Sequence, residues 1–126
     1  MAIPLVLKKP LKVYKVGTSS IFGDFKSLYR NFMYRESQTM LTVKINPEFI
    51  RCPPILGPRD ELWSYDNFYI YEGYHSYLTE EMAKLSRDEY DDIGIFEIPV
   101  GATIYVNYKL REVVSTDIKY LGLLEE

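Results

Sequence analysis

One cysteine, one histidine and one tryptophan are all that the 126 residues contain of those types. The single Cys52 excludes an internal disulfide and a cysteine metal cluster, which fits a reducing cytoplasm. A lone histidine, His75, cannot hold zinc unaided, so no metal site is expected. No apolar run approaches the roughly 20 residues of a membrane span. The opening MAIPLVLKKP places its positive charges after a very short apolar stretch, the reverse of a secretory signal, so neither membrane insertion nor export is expected. Internal repeats and low-complexity tracts are absent as well.

What is present is an ordinary globular composition, 47% hydrophobic and 26% charged, in a chain sized for one domain, residues 1–126. The net charge of −3 hides an asymmetry: residues 1–60 carry ten Lys/Arg against four Asp/Glu, and residues 61–126 carry five against fourteen. The two halves attract each other and can neutralise one another on one surface. Lys8, Lys9, Lys12 and Lys15 also suggest a basic patch, but a pI near 5.2 and the acidic second half oppose nucleic-acid binding.

Strand-like alternation marks LKVYKVG, residues 11–17, closed by Gly17. FKSLYRNFMYRE follows helical spacing at Phe25, Leu28, Tyr29, Phe32 and Met33 after an Asp24 cap, while the same letters alternate as a strand from Leu28 to Tyr34; the helical reading is preferred for 25–35. TMLTVKI, residues 39–45, is rich in β-branched residues and predicts a strand. Four prolines between Asn46 and Asp60 predict a long loop packed against the domain through Phe49, Ile50 and Ile55. LWSYDNFYIY reads as an extended segment ending at Gly73. Thr79 caps a helix predicted over 80–89, with Glu80 and Glu81 in its first turn and Leu78, Met82 and Leu85 as its inward stripe. IGIFEIP, TIYVNY and STDIKYLGLL then predict three strands in a meander. The expected class is α+β, a mostly antiparallel sheet with one or two helices.

His75 falls at the corner between extended segment and helix, where at least partial burial is expected. Twelve tyrosines are more than a core of this size needs, since each buried hydroxyl requires a partner. Trp63, Tyr65, Tyr69, Tyr71, Tyr74 and Tyr77 therefore predict an aromatic surface of the composition found at protein-binding hot spots. This reading needs no catalytic residue and no cofactor.

The order of short motifs resembles a group of small uncharacterised phage and bacterial proteins. It comprises Tyr14-Lys15, then Arg30, Phe32 and Tyr34, then Gly73-Tyr74-His75-Ser76, then IPVGATIY and VVSTDIKYLG. The same order is similar to small ADP-ribosyltransferase-like folds. That resemblance implies NAD as cofactor, Arg30 gripping phosphate, His75 and Ser76 lining the nicotinamide end, and Glu112 as the late acid. Two departures weigh against an active transferase: the terminal strands lack a Glu-x-Glu pair, and Glu112 follows Arg111 in an expected turn as a surface charge. Ser115-Thr116-Asp117 has the composition of an ordinary turn, and Cys52 shows no feature that would activate a thiol.

Overall fold

A computed structural model describes residues 4–20, 22–27, 33–45, 48–49, 64–65, 68–69, 73–108 and 111–125. Its strands are β1 (Leu5–Val6), β2 (Leu11–Ser19), β3 (Asp24–Ser27), β4 (Met33–Arg35), β5 (Glu48–Phe49), β6 (Ser64–Tyr65), β7 (Phe68–Tyr69), β8 (Tyr74–Tyr77), β9 (Asp92–Ile98), β10 (Thr103–Asn107), β11 (Glu112–Ser115) and β12 (Lys119–Leu123). One helix, α1 (Glu80–Ser86), lies between β8 and β9. The protein is sheet-rich and every strand pairing is antiparallel, with the helical part reduced among the described residues to these two turns.

The organising strand is β2. One edge pairs with β9 from Leu11↔Ile98 to Gly17↔Asp92. The other edge is shared: β8 pairs at Tyr14↔Tyr77, and β3 pairs from Gly17↔Ser27 to Ser19↔Phe25. Between Tyr14 and Gly17 the sheet forks. One branch runs β8, β11, β10, β1 and the other runs β3, β4. Beyond β4 the chain passes along β12: the N–H groups of Ser37, Met40 and Val43 donate to the carbonyls of Tyr120, Ile118 and Thr116 at 2.8, 2.9 and 2.9 Å. Because β12 pairs with β9, this branch closes a ring back to β2.

Side chains alternate across a strand, so Val13, Lys15 and Gly17 point to one face of β2, and Tyr14 and Val16 to the other. The first face is the interior of the ring, filled by Val13, Phe25, Tyr34, Phe96, Ile98, Ile118 and Tyr120. The rings of Phe25, Tyr34 and Tyr120 surround Phe96 at centroid distances of 5.5, 4.9 and 5.0 Å. Gly94, opposite Lys15, makes this possible: a Cβ there would lie 2.8 Å from the Phe96 ring and 3.1 Å from the Phe25 ring. The second face of β2 is covered by α1, whose Ala83 packs with Val16 and Ile93 and is flanked by Tyr14 and Tyr77.

Several expectations are corrected. The described parts of 25–35 are strands β3 and β4, because Phe25 and Tyr34 face each other across the pair and bury their rings in the same interior; tertiary burial overrides a helical spacing. Residues 39–45 run alongside 116–120 through isolated hydrogen bonds and one bridge, Thr39↔Lys119, without forming a regular strand. The three late strands are not a meander. Strand β11, missed in the sequence, takes β10 as its partner, and β9 lies between β2 and β12. The helix starts at the expected Thr79 cap, whose Oγ1 accepts from the Met82 N–H at 3.3 Å. It stops at Ser86 because Arg87 is extended and Asp91 Oδ2 accepts the Asp88 N–H at 3.0 Å, diverting the chain into a turn. Its buried contact is Ala83, while Leu85 is exposed. The expected loop 46–60 lies outside the described residues except at 48–49.

Candidate functional site

Strand β8 carries two residues of the nucleotide constellation, His75 and Ser76, and β11 a third, Glu112. Their register sets His75 opposite Val114 and Glu112 opposite Tyr77. By alternation His75, Tyr77, Glu112 and Val114 share one face, while Tyr74 and Ser76 share the other with Val113. The outcome for the nucleotide constellation is mixed. His75 and Glu112 are brought to one face of neighbouring strands, but Ser76 is turned into the interior, so His75 and Ser76 do not line one end of a common pocket. Arg30 lies outside the described residues.

Glu112 corrects its expected placement. It opens a strand instead of decorating a turn, and only 7% of it is exposed. Burial pushes its carboxyl up to about 8, so at neutral pH it holds a proton and presents an O–H donor. The phenol of Tyr77, hydrogen-bonded to Ser86, is raised by burial and by the nearby Glu112. His75 is half-buried within β8, as its expected place at the corner requires. Gly73 positions this strand: with φ of +107° it adopts a backbone that side-chain-bearing residues avoid, and a Cβ would lie 2.5 Å from Val114 Cγ1.

The aromatic surface is redistributed. Tyr74 is 2% exposed, packs against Tyr34, and donates its hydroxyl to the Leu41 carbonyl at 2.5 Å. Tyr77 is half-buried against α1. These two serve packing. Tyr65 and Tyr69 lie in β6 and β7, which with β5 make a separate three-stranded sheet. Its registers set Phe68 between Phe49 and Tyr65, and Tyr69 between Glu48 and Ser64. Trp63, Tyr71 and Cys52 lie outside the described residues.

The residue that sequence reasoning misplaced most is Lys15. Lys8, Lys9 and Lys12 are exposed, as a basic patch requires, but Lys15 is 3% exposed inside the ring. Its amine donates to the His75 carbonyl and stands 5.4 Å from the Tyr34 ring centroid and 5.7 Å from that of Phe96. Burial pushes it down to about 7. The next residue after that carbonyl, Ser76, points to the same interior, and its buried Oγ has no hydrogen-bond partner among the described residues. The signal was legible: position 15 falls on the same alternation as Val13 and Gly17.

Among the described residues no group of three His, Cys, Asp or Glu is placed to hold a metal, and no helix is long and apolar enough to cross a membrane. Comparison of the chain with protein-family profiles, curated proteins and solved structures finds no match.

Proposed function

We propose that the protein is a small phage-type binding protein, acting in the cytoplasm, whose aromatic segment from Trp63 to Tyr71 engages a protein partner. The observation that carries this reading is the pairing of Phe49, Phe68 and Tyr65 at one register of a small sheet distinct from the main one. Short strands hold aromatic residues in a fixed array at little further entropic cost on binding, which is what hot-spot residues exploit. The ring interior is packed with side chains among the described residues, which leaves the surface as the place for recognition. Tyr74 and Tyr77 pack against the main core and α1 and are left out of the binding surface.

A second reading, an ADP-ribosyltransferase-like nucleotide-binding domain, is favoured by the shared face of His75 and Glu112. The fit to NAD is incomplete, since the Ser76 hydroxyl is on the opposite face from His75. The two readings separate in one set of measurements. Tyr65→Ala should weaken partner binding by roughly thirtyfold, the equivalent of about 2 kcal/mol for a lost hot-spot aromatic, and Tyr69→Ala, at the alternate register with Glu48 and Ser64, should weaken it less, with circular dichroism unchanged in both. Saturable NAD binding by calorimetry that is abolished by Glu112→Gln, with no effect of the tyrosine variants, would put the second reading first.

A further inference from the structure

The fork in the sheet sits where the chain holds its least expected side chain. Strands β8 and β3 both pair with the same edge of β2 and part between Tyr14 and Gly17. Lys15 lies in that gap. Backbone pairing joins β2 to β8 at only one position, Tyr14↔Tyr77, so the hydrogen bond from the Lys15 amine to the His75 carbonyl is a second tie across the same junction. A neutral amine can make that tie within an apolar ring. A charged ammonium brings three N–H donors and a unit charge into the same space, where desolvation is costly.

The surroundings offer little to compensate a charge. The amine stands over the rings of Tyr34 from β4 and Phe96 from β9; the same interior holds Tyr74 of β8, Phe25 of β3 and Tyr120 of β12, with Ser76 on that face of β8 and Gly94 opposite Lys15. At the mouth of the ring Asp92 accepts from the Ser19 N–H at 3.0 Å and from its hydroxyl at 2.7 Å, and Glu36 is exposed near Tyr120. Glu112, Tyr77 and the His75 imidazole belong to the opposite face of β8 and β11. The Tyr34 and Phe96 rings give a cation partial stabilisation.

We propose that the Lys15 amine is a proton-operated latch at the fork. It ties β8 to β2 while neutral, and uptake of a proton favours release of the strand because the buried ammonium gains its solvation only when the strand opens. Since β8 directly follows the aromatic segment through Gly73, the latch sets how firmly the base of that segment is held. The buried amine has its affinity for protons lowered from 10.5 to about 7. An opened strand returns it to water and to the ordinary value, so each pH unit from about 10.5 down to about 7 favours opening by about tenfold, and the effect levels off below 7.

Amide hydrogen exchange tests this without any partner. Protection factors for Tyr74–Tyr77, corrected for intrinsic rates, are compared between the wild type and Lys15→Met at pH 7.0 and 8.5. The ratio of wild-type to variant protection should rise by about fifteenfold over that interval, and at pH 7.0 the wild-type protection of Tyr74–Tyr77 should lie below that of Phe96 and Ile98 in β9, the mark of a strand that opens before the whole sheet unfolds. If Lys15→Met does not fold, Lys15→Leu takes its place, and in the wild type the Lys15 side-chain nitrogen should titrate near neutrality by NMR. A constant ratio, protection of Tyr74–Tyr77 equal to that of β9 at both pH values, or an ordinary titration of the amine above pH 10 would overturn the latch. Loss of partner binding in Tyr65→Ala bears only on the proposed function.

Discussion

Glu112 stands directly opposite Tyr77 across the β11–β8 pair, so a carboxyl and a phenol share a buried position under the helix that Tyr77 supports. Glu112 is raised in the fold to about 8 from 4.5. Between these values the folded chain holds a proton that the unfolded chain has released. Its contribution to stability is fully present below pH 4.5 and is lost as pH rises through about 8. Glu112→Gln, which cannot ionise, should therefore gain stability relative to the wild type across that window, read as the difference in urea midpoints at pH 5 and pH 8. No change in that difference would remove Glu112 from the buried acid role.

Lys15 predicts the opposite slope. Its folded value of about 7 lies below the unfolded 10.5, so its contribution is present above pH 10.5 and is lost as pH falls toward 7. Relative to the wild type, Lys15→Met should gain up to about 1.4 kcal/mol per pH unit from 10 down to 7, and then level off. Unfolding curves at pH 7 and pH 9 suffice to check the sign.

How much of this was legible in the sequence is best judged at particular residues. The Thr79 cap, the strands around 11–17, 92–98 and 103–107 and the placement of His75 follow from local signals that burial reinforces. The nearby charges of Lys8, Lys9 and Lys12 point Lys15 to a surface patch, whereas strict alternation from Val13 places it inward. Residues 25–35 satisfy both periods, and only the ring formed by β2, β9 and β12 decides that Phe25 and Tyr34 meet as strands. Strand β11 was hidden because it is short and opens with a glutamate; nothing local shows that Glu112 is covered.

Gly73→Ala should be costly, because the substitution meets both a positive φ and the Val114 side chain. A loss of about 2 kcal/mol or more is expected from such strain, measured by urea unfolding. A near-neutral effect would mean that β8 can shift away from β11.

Tyr74→Phe removes the donor to the Leu41 carbonyl while keeping the ring in the core. A cost of about 1 kcal/mol is expected, with faster proteolysis between residues 37 and 45, the stretch that this hydroxyl and the Thr42–Asp117 hydrogen bond tie down. Binding through the aromatic segment should be unaffected apart from that loss. A selective loss of partner affinity at full stability would return Tyr74 to the binding surface.

Site-specific photo-crosslinking tests the proposed function most directly. A photoreactive phenylalanine is placed in turn at positions 65 and 69, and at positions 90 and 108, whose tyrosines are 86% and 76% exposed but lie outside the aromatic segment. In extract of the cells where the protein acts, the account predicts one discrete protein adduct from position 65 or 69 and none from 90 or 108. Adducts that are absent from 65 and 69, or that form equally at all four positions, would contradict it.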